Sequence, residues 1–151
     1  MLAPLPPIHA LAAWQRVLDR NAALFEETVA GASIAIVPRF APGSGGKPRP
    51  TVMPVSEPVS MLVWVREGRG MVAREGQFRG LKGLPADLLL VAGEGALEAA
   101  LDHAEPLSEL KRQLRAGRML FMVMRAREEL QARGWTDFLE AIGLPFLGTC
   151  R

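Results

Sequence analysis

Residues Ala86–Met124, ADLLLVAGEGALEAALDHAEPLSELKRQLRAGRMLFMVM, carry the order of elements on which the reading of the whole chain hangs. Leu88 to Val91 is apolar at every position, the pattern of a central strand covered on both faces. From Glu94 to His103, Leu97, Ala100 and Leu101 fall on one side of a helix. Pro106 breaks that helix, because proline lacks the N–H and clashes with the preceding turn. Leu107, Leu110 and Leu114 then define a second helical segment ending near Gly117. Met119 to Met124 follows as a short apolar run. It reads as an apolar strand, although periodicity alone does not type so short a run.

The pattern extends to both sides of this stretch. Between Ile8 and Val29, Leu11, Trp14, Leu18, Phe25 and Val29 recur at helical spacings, with Arg16, Asp19, Arg20, Glu26 and Glu27 mostly elsewhere, and Gly31 stands where a C-cap is expected. Ser33 to Val37 reads as a strand ended by Pro38. Residues 38–58 hold six of the twelve prolines and the cluster Gly43-Ser-Gly-Gly46, which predicts a long irregular loop. Ser60 to Val65, a turn over Arg66 to Gly70, and Met71 to Arg74 read as a β-hairpin, and Phe78 to Pro85 as a glycine-spaced connection. The last helix is expected from Arg127 to Ile142. Leu130, Trp135, Phe138, Leu139 and Ile142 lie on or near one face, and Gly134 weakens it by about 1 kcal/mol relative to Ala.

A chain of 151 residues, 49% apolar and 23% charged, has the size and composition of one globular domain, taken as residues 1–151. Eighteen Lys and Arg against sixteen Asp and Glu leave a formal charge of +2, too little for the electrostatic footprint of a nucleic-acid binder. The single cysteine, Cys150, excludes an intramolecular disulfide and a multi-cysteine metal site, and fits a reducing, cytoplasmic setting. The proline-broken segment Met1 to Pro7 does not read as a secretory signal. No apolar run reaches the roughly 20 residues of a membrane span, so no stable membrane insertion is expected.

Chemistry is sparse. His9 stands in the proline-broken N-terminal segment, and His103 follows Asp102 at a helix end. Neither has an evident nucleophile or orienting acid, and two histidines do not make a metal site. Gly43-Ser-Gly-Gly-Lys47 lacks the glycine spacing of a phosphate loop and is followed by Pro48. Gly93-Glu-Gly95 has a strand-to-helix context, but Glu94 would repel a phosphate. Neither an enzyme nor a cofactor or metal is expected. What stands out is the flexible apolar group Met119 to Met124, which either packs a core or, by the adaptability of methionine, lines a pocket.

Three stretches carry a resemblance. They are Ala86-Asp-Leu-Leu-Leu-Val91, the helix Leu97 to His103, and Glu105-Pro-Leu-Ser-Glu-Leu-Lys-Arg-Gln-Leu-Arg-Ala-Gly117 leading into Arg118 to Met124. In this order, within an arrangement running from Ile8 to Ile142, they resemble the sterol carrier protein two (sterol-transfer) family. Many relatives carry Gly-Asp where this chain has Val123 and Met124. The resemblance implies an α+β domain, with an about five-stranded, mostly antiparallel sheet covered by helices and enclosing an apolar tunnel for a fatty acyl chain, sterol or other lipid. Burial of about 0.8 kcal/mol per CH₂ would drive binding, with no covalent step. By this analogy Met119, Phe121, Met122, Trp135, Phe138, Leu139 and Ile142 line the tunnel, and Leu110 and Leu114 close it. Strand alternation lets only half of residues 119–124 face a cavity. The expected partner is a hydrophobic small molecule or lipid. The alternative is a protein–protein interaction module of the same fold, a homodimer included, with the cavity filled by side chains.

Overall fold

A computed structural model describes residues 10–42, 48–52 and 58–144. The N-terminal amphipathic stretch forms α1 (Leu11–Arg20), which buries Trp14, Val17 and Leu18, and then a 3-10 turn at Ala22–Phe25. It is shorter than the pattern suggests because Asn21 turns its amide back onto the Val17 carbonyl at 2.8 Å, in the manner of side chains that compete with helix bonds.

The strands are β1 (Ser33–Pro38), β2 (Phe40–Pro42), β3 (Pro48–Pro50), β4 (Val59–Glu67), β5 (Gly70–Phe78), β6 (Leu88–Ala92) and β7 (Met119–Val123). Between β6 and β7 come α2 (Ala96–Asp102) and α3 (Pro106–Arg115), with Pro106 at the first turn of α3, where its missing N–H costs nothing. After β7 come α4 (Arg127–Ala132) and α5 (Thr136–Ala141).

Five strands form one sheet in the order β5-β4-β1-β6-β7, and β1·β6 is its one parallel pair. The α+β class with a mostly antiparallel five-stranded sheet is therefore the one expected. The central strands β1 and β6 are buried along almost their whole length, which explains their unbroken apolar sequences. Alternation sorts them into two cores. Ile34, Ile36, Leu88 and Leu90 meet Trp14, Phe25, Leu97, Leu110, Trp135 and Phe138 beneath the helices. Ala35, Val37, Leu89 and Val91 meet Met61, Phe78 and Ala86 on the opposite face, with Val52, Leu81 and Leu84 packed against them.

Two expectations are corrected. The proline-rich stretch 38–58 is not wholly irregular, since β2 and β3 pair as a short antiparallel ribbon, while residues 43–47 and 53–57 lie outside the described residues. The prolines are tolerated because the ladder bonds fall between them: Thr51 N–H donates to the Arg39 carbonyl at 2.9 Å, and Pro48 and Pro50 alternate with the bonding positions. The single helix expected over 127–142 is two helices. Gly134 separates them at φ +88°, and a Cβ there would stand 1.9 Å from the Glu27 carbonyl oxygen. The glycine is a crossing point where the segment 27–29 meets the α4–α5 junction, and Val29 N–H donates to the Arg133 carbonyl at 3.1 Å.

Gly134→Ala should therefore cost well beyond an ordinary helix substitution, about 3 kcal/mol or more from backbone strain and overpacking together. Thermal unfolding would show this as a Tm lowered by roughly 10 °C. A shift of only a degree or two would mean that the close approach is relaxed in solution.

Candidate functional site

The sheet has two edges, β5 and β7, and the chain treats them differently. The two-residue turn at Gly68-Arg69 pairs Glu67 with Gly70, which directs the main-chain groups of Met71 and Ala73 away from β4. Gln15 of α1 bonds two of these groups. Its Oε1 accepts from Ala73 N–H at 2.9 Å, its Nε2 donates to the Met71 carbonyl at 2.9 Å, and Nε2 also reaches Asp19 at 3.0 Å. A helix side chain thus makes two of the bonds that a neighbouring strand would make, over Met71–Ala73 at the start of β5. Arg74 and Glu75 add charge to this edge.

Among the described residues no side chain bonds the outward groups of β7 in this way. Gly93 N–H donates to the Arg118 carbonyl at 2.7 Å and Met124 N–H to the Asp87 carbonyl at 2.9 Å, so the even-numbered residues of this strand face β6. The N–H and C=O groups of Met119, Phe121 and Val123 point away from β6 and have no partner among the described residues, but Met119 is buried, so Phe121 and Val123 are the positions at which the edge is open. The strand carries no proline, charge or interruption of register, the usual devices that blunt an edge. Leu120 is 43% and Val123 55% exposed, with Phe121 and Met122 half-buried between them. An apolar edge with unpaired main-chain groups is a template for another strand.

The position of β7 is held by Asp87, whose carboxylate is buried at the start of β6. It accepts from Arg125, which follows the end of β7, from Arg133 Nε at 2.9 Å, from Trp135 Nε1 at 2.9 Å, and from Ser33 N–H at 3.4 Å. Burial alone would raise its pKa. The hydrogen bonds from Trp135, Arg133 and Arg125 outweigh burial and hold the carboxyl below its ordinary 3.8. Glu129 reaches the same Arg125 at 3.5 Å and also accepts from Ala126 N–H at 3.3 Å, tying the start of α4 to the strand end.

Of the nine residues proposed to line a tunnel, six are buried in the helix-side core: Leu110, Met119, Trp135, Phe138, Leu139 and Ile142. Leu114 and Phe121 are half-buried against the same core, whereas Met122 packs on the opposite face of the sheet. The aromatic members are in contact with one another and with their neighbours. Phe138 stacks on Phe25 with centroids 5.4 Å apart, meets Trp135 at 5.8 Å and Trp64 at 6.4 Å, and Trp14 meets Trp64 at 5.6 Å. His103 is exposed, and its Nδ1 accepts from Glu105 N–H at 2.9 Å, closing the turn between α2 and α3. His9 and Cys150 lie outside the described residues.

A shallow pocket of about 220 Å³ lies beside Gly134, among Glu27, Gln131, Ala132, Thr136 and Asp137. Among the described residues no group of three or more His, Cys, Asp or Glu could hold a metal ion, and no helix is long and apolar enough to cross a membrane. Sequence reasoning passed over Gln15 and Asp87, although Asp87 carried a signal as the one acid directly abutting an unbroken apolar strand.

Comparison with protein-family models, with curated proteins and with solved structures finds no match. The geometry is therefore the ground for a functional reading.

Removing the Asp87 charge, as in Asp87→Asn, should cost about 3–5 kcal/mol by leaving Arg125 and Arg133 without their shared partner. Because the folded pKa is depressed, this contribution is full above the unfolded carboxyl value and is lost as pH falls through the lower folded value. In urea titrations the gap between the two proteins should stay constant at neutral pH and close below about pH 4. A gap independent of pH down to acid unfolding would contradict the clamp.

Proposed function

We propose that this chain is a non-catalytic protein–protein interaction module that takes an extended segment of another chain along the free edge of β7. The observation carrying this reading is the contrast between the edges: Gln15 bonds the Ala73 N–H and the Met71 carbonyl of β5, while Phe121 and Val123 of β7 present outward main-chain groups that no described residue bonds. In strand addition, main-chain bonds supply affinity and the alternating side chains supply selectivity. Leu120 and Val123 are the exposed apolar contacts for that selectivity. The Asp87 clamp fixes β7 at its C-terminal end, so the edge is offered by a rigid element, which lowers the ordering cost of binding.

The reading as a carrier of a fatty acyl chain or sterol, drawn from the resemblance to the sterol carrier protein two family, requires space between the helices and the sheet. The stacked rings of Phe25 and Phe138 and the edge contacts of Trp64 and Trp135 would have to part to create it. Native mass spectrometry with excess palmitate separates the two readings. The interaction module keeps its bare mass, and a stoichiometric adduct would return the carrier to first place.

A capped synthetic peptide spanning residues 118–125 serves as a probe strand. Titration followed by amide NMR should shift the resonances of Phe121 and Val123 before those of β5. Val123→Pro, which removes one outward donor while leaving the bonds to β6 intact, should weaken binding about tenfold or more. An unperturbed β7 at saturating peptide would overturn the edge reading.

A further inference from the structure

We infer that the segment taken by the β7 edge continues into an acidic stretch, which lies across the adjoining end of the sheet on a row of unpaired arginines, Arg118, Arg39, Arg49 and Arg79. The inference rests on the edge reading above and adds the chemistry of the partner. Strand directions bring the row together. β4 runs antiparallel to β1 and to β5, and β6, parallel to β1, runs antiparallel to β7, so β1, β5 and β6 end where β4 and β7 begin. Arg39 follows the last residue of β1, Arg79 follows the last of β5, and Arg118 precedes the first of β7. Arg49 belongs to the β2–β3 ribbon, which is rooted at the same end. There Arg39 N–H donates to the Ala92 carbonyl at 2.7 Å and Thr51 N–H to the Arg39 carbonyl at 2.9 Å.

The arginines of the sheet differ in what holds them. Arg66 donates to the Phe25 and Thr28 carbonyls at 2.7 and 3.0 Å, Arg74 pairs with Glu67, and Arg125 and Arg133 hold Asp87. These side chains serve the fold. Among the described residues no hydrogen bond or ion pair engages the side chains of Arg39, Arg49, Arg79 or Arg118. Arg49 Nε is buried without an acceptor, and Arg39 lies 5.7 Å from the centroid of the exposed Phe40 ring. Of the described residues that adjoin these strand ends only Glu94 is acidic. At the other end of β7 the balance is reversed, since Arg125 is matched by Asp87 and Glu129, and Glu128 is exposed beside them.

Spacing and charge specify the occupant. Neighbouring strands lie about 4.8 Å apart, so Arg118 and Arg39, two strands from each other, stand roughly 10 Å apart at the backbone, as do Arg39 and Arg79. The row is about 20 Å long, the length of roughly six residues of extended chain, with a cation for about every second or third residue. A segment paired with Phe121 and Val123 that runs on past the buried Met119 reaches Arg118 first. Carboxylates there relieve the repulsion among unpaired guanidiniums and fix which end of the segment lies at which end of β7. A nucleic-acid strand, the other extended polyanion, draws on stacking platforms, and Phe40 is the only exposed large aromatic side chain among the described residues. Both contacts weaken in salt, so the experiment separates them by sequence and not by salt alone.

The test takes the full chain and the capped 118–125 peptide, either bare or extended by four glutamates at one terminus or the other. One tail emerges beside Arg118 and the other beside Glu128. At low salt one extended peptide should therefore bind about tenfold or more tightly than the bare peptide, and the other should not. The gain should vanish in the double variant Arg39→Gln, Arg118→Gln, which holds the bare peptide within about threefold of its original affinity, and persist in Arg69→Gln, which removes a cation at the opposite end of the sheet. No gain from either tail, an equal gain from both, or a gain that survives the double variant overturns the arginine row and leaves the edge reading standing. An oligothymidylate that binds more tightly than the better peptide, and loses its affinity in the double variant, assigns the row to nucleic acid and overturns the acidic segment. Amide resonances of Phe121 and Val123 that none of the three peptides moves overturn both readings.

Discussion

The buried Asp87 carboxylate ties together parts of the chain that are far apart in sequence. Through it the start of β6 is joined to β1 at Ser33, to the end of β7 at Arg125, and to the α4–α5 junction at Arg133 and Trp135. A buried charge is costly to desolvate, and here the cost is offset only while all of these donors converge. The clamp is therefore a positional device more than a source of net stability. It requires that β7 end where Arg125 can reach, and that the helices after β7 turn back at Gly134 so that Arg133 and Trp135 point to the same spot. Trp135 in turn belongs to the ring cluster with Phe25 and Phe138, so the polar clamp and the apolar core fix the same helix junction.

The fold leaves β7 as the sheet's bare margin. A five-stranded open sheet has two edges, and the order of strands puts β5 beside α1 and β7 beside nothing that bonds its outward groups among the described residues. α1 packs on β5 through an apolar face and places one polar side chain, Gln15, on one outward donor and one outward acceptor of the strand, at Ala73 and Met71. An apolar strand left open from Leu120 to Val123 is a liability for a monomer and an asset for an interaction module.

Much of the architecture was legible in the sequence, because the periods of Ser33 to Val37, Ser60 to Arg74 and Leu88 to Val91 are direct consequences of which faces are buried. Pro106 at the head of α3 was legible for the same local reason. Gly134 was not, because a glycine inside an apolar helical pattern reads as a weak helix until the chain that crosses it is known. The β2–β3 ribbon was hidden by prolines whose alternation with the bonding positions depends on register. The candidate site was less legible still. That residues 119–124 are apolar is plain from the sequence, but whether such a strand sits at the centre or the edge depends on strand order, which no local pattern encodes. Gln15 reads as one more polar residue on a helix surface, and only the path of α1 along β5 gives it a partner. The burial of Trp135, Phe138, Leu139 and Ile142 followed from periodicity, whereas their contact with one another follows from the turn at Gly134.

The asymmetry of the two edges is the centre of this account, and amide hydrogen exchange in dilute, monomeric solution measures it residue by residue. The account predicts slow exchange at Ala73, held by Gln15, and an alternating pattern along β7, with Leu120 and Met122 slow and Phe121 and Val123 fast. Uniform protection along β7, or an Ala73 amide as labile as those at Phe121 and Val123, would contradict it.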